Sequence, residues 1–66
     1  MEIIINGERQ PVSDESSLSS AVSLITKAST GVAAALNGEV VRRAAWDATP
    51  LTPGDEVEVV TAVQGG

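Results

Sequence analysis

The chain has 66 residues, 6.7 kDa, with 42% hydrophobic residues, six glycines, nine acidic against four basic side chains and a net charge of −5. With glycine counted, about half the chain is apolar, which marks one small folded domain and excludes a disordered segment. There is no cysteine and no histidine, which removes disulfides, the usual zinc ligand sets and the Ser-His and Cys-His nucleophile pairs.

The negative charge repels a phosphate backbone and argues against nucleic acid. It favours a protein partner with a basic docking surface. No apolar run approaches the ~20 residues of a membrane span, and no basic-then-apolar leader is present. The expectations are no membrane contact, a cytoplasmic location and a small carrier or interaction domain that is no enzyme by itself. A domain of this size buries only roughly 60% of its unfolded surface. Its Val, Ile, Leu and Ala must therefore supply the stability.

Glu2-Ile3-Ile4-Ile5 is a short β-branched strand ending in Asn6-Gly7. Asn-Gly favours a type I′ hairpin turn, because both central residues need positive φ. The return strand spans Glu8–Val12, and Pro11 places it at a sheet edge, since proline has no N–H for the ladder. The two-residue period puts Met1, Ile3 and Ile5 on the core face and Ile4 on the other. Ser17 is the expected helix N-cap, with Asp14 and Glu15 upstream where negative charge suits the helix dipole. Leu18, Ala21, Val22 and Ile25 form the apolar stripe of a surface helix. Gly31 beyond it suits a left-handed turn.

Val32–Leu36 is a second strand, and it meets a second Asn37-Gly38 turn before Glu39-Val40-Val41. The repeated Asn-Gly-Glu marks two hairpins and no duplicated domain, because the flanks differ. Residues 42–51 are irregular. Thr52-Pro53-Gly54-Asp55 fits a type II turn. Glu56–Ala62 is the last strand, with Val57 and Val59 on one face and Glu56 and Glu58 on the other. One helix against these strands makes a two-layer α+β domain over residues 1–62, with a flexible tail at 63–66.

Side-chain chemistry is sparse. Glu56 and Glu58 read as a solvated strand face sooner than an acid–base pair. Arg42-Arg43 reads as a solvent-facing strand end sooner than a phosphate grip. Trp46 reads as a packing residue sooner than a stacking platform. No nucleotide-binding glycine loop occurs and no metal site is expected. The ending Gly65-Gly66 stands apart. At average glycine usage a given pair of positions is Gly-Gly in about one chain in 200. Glycine has no Cβ, so the tail is slim and takes any φ. Residues 63–66 extend at most ~13–14 Å, enough to enter a partner's active site and present the Gly66 carboxylate there.

Taken together, these residues resemble the sulfur carrier proteins of thiamine biosynthesis, which are ubiquitin-like β-grasp proteins. The resemblance covers the whole chain. It rests on the Ile run into Asn6-Gly7-Glu8, on Val32–Leu36 into Asn37-Gly38-Glu39-Val40-Val41, on Arg43, Trp46, Leu51, Gly54-Asp55 and Val57-Glu58, and on the ending Ala62-Val63-Gln64-Gly65-Gly66. It implies a mixed five-stranded sheet with one helix across one face and the last strand parallel to the first in the middle. It implies that an E1-like adenylating enzyme uses ATP and magnesium, both held by that partner, to adenylate the terminal carboxylate. A sulfur-donor enzyme then yields a thiocarboxylate, and thiazole synthase takes the sulfur. Carried onto this chain, Gly66 is the modified position and Gly65 the slim approach, with no catalytic side chain and no cofactor of its own. Ile4 and Val60, apolar at outward parity on strands that this fold makes neighbours, form the expected partner patch on a free monomer. A molybdopterin-type carrier is the alternative within the class, and an interaction domain with an inert tail is the alternative outside it.

Overall fold

The computed structural model of the chain describes residues 1–28 and 30–61. It contains strands β1 (Glu2–Ile5), β2 (Glu8–Pro11), β3 (Val32–Leu36), β4 (Glu39–Val41) and β5 (Glu56–Thr61), one helix α1 (Leu18–Ile25), and a 3-10 turn at Arg43–Ala45. The sheet order is β2-β1-β5-β3-β4. β1 and β5 run parallel, and the other neighbours are antiparallel. This is the β-grasp order expected, with the last strand in the centre and Pro11 on an edge strand.

Both Asn-Gly pairs adopt the expected turn, with Asn6 and Asn37 at φ 51 and Gly7 and Gly38 at φ 84. At Gly54, φ is +83, and the Asp55 N–H closes the turn onto the Thr52 carbonyl at 3.1 Å, as a type II turn requires. Asp55 then locks it. Its carboxylate accepts from the Thr52 N–H at 2.7 Å, the Thr52 hydroxyl at 2.9 Å and Asn37 Nδ2 at 3.1 Å. Burial pushes the Asp55 carboxyl up, but the bonds from Thr52 and Asn37 outweigh that and hold it below the ordinary aspartate value of 3.8. A depressed carboxyl contributes stability that is present above its unfolded value and lost as pH falls through its folded one. Stability of the wild type is therefore expected to fall more steeply than that of Asp55→Asn as pH drops below 3.8, measured by urea titration at a series of pH values. Parallel curves would remove Asp55 from the acid response.

The core is formed by Ile3, Ile5, Leu18, Ala21, Val22, Ala34, Trp46, Leu51, Val57 and Val59. Met1 is half-buried and packs against it. Ser17 caps α1 as expected. Its Oγ accepts from the Ser20 N–H at 3.4 Å, and Ser20 Oγ returns the bond to the Ser17 N–H at 3.5 Å. Serine thus fills both positions of a capping box that usually ends in Glu or Gln. Leu18 N–H donates to the Thr49 carbonyl at 2.8 Å and Leu51 N–H to the Ser16 carbonyl at 3.0 Å, which ties the helix start to the 49–51 segment.

One expectation is corrected. Ile25 is 43% exposed, because α1 ends on it and Thr26 is already extended, so the buried stripe stops at Val22. Gly31 has the expected left-handed backbone, with φ 71, where the chain leads into β3. Asp14, upstream of the helix, pairs with the Met1 amino group at 2.9 Å.

Candidate functional site

Gly65 and Gly66 lie outside the described residues, as does the final position of the strand expected over Glu56–Ala62. What the structure defines is the scaffold behind them. β5 carries the chain toward the end from the centre of the sheet, between β1, which pairs with it at Glu56 and Val57, and β3, which pairs with it from Val57 to Thr61. Val57 and Val59 fix it to the core, and Glu56, Glu58 and Val60 alternate onto the opposite, helix-free face. The alternation of facing therefore persists through Val60, where the residue types alone break it.

Residues directly paired across a sheet share a face. Ile4 is paired with Glu56, and Val60 with Ala33. Both expected patch residues thus stand on the outer face, with Ile4 half-buried and Val60 62% exposed. They do not adjoin. Val60 lies four residues beyond Glu56 along β5, about 13 Å at strand rise, and Glu58 stands between them. A single Ile4–Val60 patch is therefore corrected. Outward parity was readable from the residues, but the stagger of β1 against β5 was not.

Val60 has other apolar neighbours. Ala33 is its partner on β3, Ala35 is paired with Glu58, and Val40 is paired with Ala35 on β4. Val40 is 78% exposed, so Val60, Ala33, Ala35 and Val40 run diagonally across the outer face. Val40 escaped sequence reading because Val40-Val41 gives no parity by itself. The turn at Asn37-Gly38 sets it, turning Val41 toward the core and Val40 away. Glu56 and Glu58, both exposed, border this diagonal toward β1.

The remaining candidates are packing features. Trp46 is 6% exposed, and its Nε1 donates to the Val41 carbonyl at 2.8 Å. The Arg43 guanidinium lies 5.4 Å from the centre of its ring, within cation–π range, a pairing that the spacing in the sequence does not reveal. A cleft of about 320 Å³ lies beside them on the helix side, lined in part by Ser23, Lys27, Arg43 and Asp47. Among the described residues no group of three His, Cys, Asp or Glu is placed to hold a metal, and no helix is long and apolar enough to cross a membrane.

A scaffold this small, with its central strand directed to a Gly-Gly end, can be compared with known proteins over its whole length. No curated protein matches the chain. Two solved structures of a thiamine biosynthesis protein from Geobacter metallireducens do. One is a crystal structure of ThiS at 33% identity and TM-score 0.79, with 100% of both chains covered. The other is a solution NMR structure at 33% identity and TM-score 0.80, covering 100% of this chain and 88% of that one. The model of the ThiS family matches residues 3–66, through the terminal Gly65-Gly66. The chain belongs to the ThiS family.

Proposed function

We propose that this protein is a sulfur carrier of thiamine biosynthesis whose working group is the Gly66 carboxylate. The carrying observation is that the family match runs through residue 66, so the Gly-Gly end belongs to the matched pattern. The absence of His and Cys supports the same reading, since the chain holds no Ser-His or Cys-His nucleophile pair of its own. A carboxylate oxygen of Gly66 attacks the α-phosphorus of ATP bound with magnesium on an adenylating partner, and pyrophosphate leaves. Sulfide (HS⁻) delivered by a donor enzyme attacks the acyl carbon and displaces AMP, and loss of its proton leaves the thiocarboxylate. Thiazole synthase then accepts the sulfur. The chain acts as a handle, and every catalytic side chain belongs to a partner.

The outer face of the sheet is the docking surface in this reading. It combines the exposed Val60 and Val40 with the carboxylates of Glu56 and Glu58, so it fits a partner with an apolar contact and a basic rim. Val60→Asp is expected to weaken binding to the adenylating enzyme about tenfold or more, ~1.4 kcal/mol per tenfold, with the melting temperature nearly unchanged because the side chain is exposed. Calorimetric titration reads this directly, and equal affinity would move the docking site off this face. The reading as a whole is tested by pyrophosphate release from the adenylating enzyme with ATP and magnesium. Release that depends on the chain is the expected result. Release that ignores the chain would refute the carrier function.

A further inference from the structure

Asn6 and Asn37 open the same kind of turn, each at φ 51. Asn, Asp and Gly all tolerate that φ, so the turn alone does not require an amide. Each amide reaches across to β5. Asn37 Oδ1 accepts from the Glu56 N–H at 2.9 Å, and its Nδ2 donates to the Asp55 carboxylate at 3.1 Å. Asn6 Oδ1 accepts from the Val59 N–H at 2.9 Å, and its Nδ2 donates to the Val59 carbonyl at 3.3 Å. The two serve opposite ends of the central strand. β3 is antiparallel to β5 and leaves it at the start, whereas β1 is parallel and leaves it at the end that leads toward Gly66.

The Asn6 amide therefore stands where the next residue of β1 would have been. Its Oδ1 and Nδ2 take the Val59 N–H and C=O, the two groups that a continuing parallel strand would bond through two separate residues. The backbone bond before it joins Asn6 N–H to the Val57 carbonyl at 2.9 Å. Among the described residues Val59 is the last to be held on the β1 side, while Val60 and Thr61 continue to pair with β3 alone. Val59 to Gly66 is seven positions, 66 − 59, at most about 25 Å of extended chain. Without the amide, the last anchor on that side falls back to Val57, and residues 58–61 are held by β3 alone. A strand end braced on one side only is less directed, and that freedom must be given up when the carboxylate docks.

We propose that Asn6 is a positioning residue for the carrier end: by holding Val59 where β1 turns away, it braces on the β1 side the end of β5 that leads toward Gly66. The inference rests on the carrier reading above. The test compares Asn6→Gly with Asn37→Gly, since glycine keeps the positive φ and removes only the side chain. Both variants are expected to lower the melting temperature by similar amounts. Asn6→Gly alone is expected to speed hydrogen exchange at the Val59 amide. It alone is expected to raise KM for the chain in ATP–pyrophosphate exchange, about fivefold, the weight of one net hydrogen bond, with kcat unchanged. Asn6→Asp, which keeps an acceptor for the Val59 N–H, is expected to fall between Asn6→Gly and wild type. Equal KM for the two glycine variants, or a Val59 amide still protected in Asn6→Gly, would overturn the role of Asn6. Wild-type chain that fails to support exchange at all would instead overturn the carrier reading.

Discussion

Removing Gly66, or adding one alanine after it, is expected to abolish ATP–pyrophosphate exchange with the adenylating enzyme. Deletion shortens the arm by roughly 3.3–3.6 Å. Extension puts a different carboxylate at the α-phosphate and turns the old one into an amide. A misplacement of ~1 Å can already cost about 100-fold in rate, so both changes exceed what a cleft built for a slim Gly-Gly arm can absorb. Neither is expected to shift the melting temperature. The core is closed by residues between Ile3 and Val59, and no substitution is made there. An extended chain that exchanged at the wild-type rate would refute the terminal carboxylate as the reacting group.

The other large effect lies in the core. Ile5 is 1% exposed and stands beside Val57 in the parallel β1–β5 pair, the contact that joins the N-terminal hairpin to the central strand. Ile5→Ala is expected to cost ~2–5 kcal/mol through lost burial and an unfilled cavity. A domain of this length has only about 3–10 kcal/mol in total, and no disulfide supports it. The urea midpoint should fall by a large fraction, and part of the population should be unfolded at 37 °C. Leu24→Ala, at a helix position 58% exposed, is the control and should stay within ~0.5 kcal/mol. A small loss at Ile5 would mean that the β1–β5 contact is not where the stability resides.

Most of the fold was legible because its punctuation is local. Asn6-Gly7, Asn37-Gly38 and Pro53-Gly54 each demand a backbone conformation that few other residues tolerate, and Ser17 offers an oxygen where helical N–H groups lack partners. What was not legible depends on contacts between distant segments. Nothing local to Ile25 says that α1 stops there and leaves it 43% exposed. Nothing near Asn6 announces Val59, 53 positions away. The separation of Ile4 from Val60 follows from the β1–β5 register, which is set by the whole sheet. The candidate site divides in the same way. Its proposed reactive end stood out in the sequence because glycine at the last two positions is chemically unusual, and it lies outside the described residues, whereas the diagonal from Val60 to Val40 required the pairing of three strands.

The central claim, that the terminal carboxylate of Gly66 carries the sulfur, is tested most directly by mass spectrometry of the chain produced together with its adenylating enzyme and sulfur donor. The intact protein should show one oxygen replaced by sulfur, and fragmentation should place that exchange on Gly66. An unchanged mass, or sulfur found on any residue before Gly66, would contradict the account.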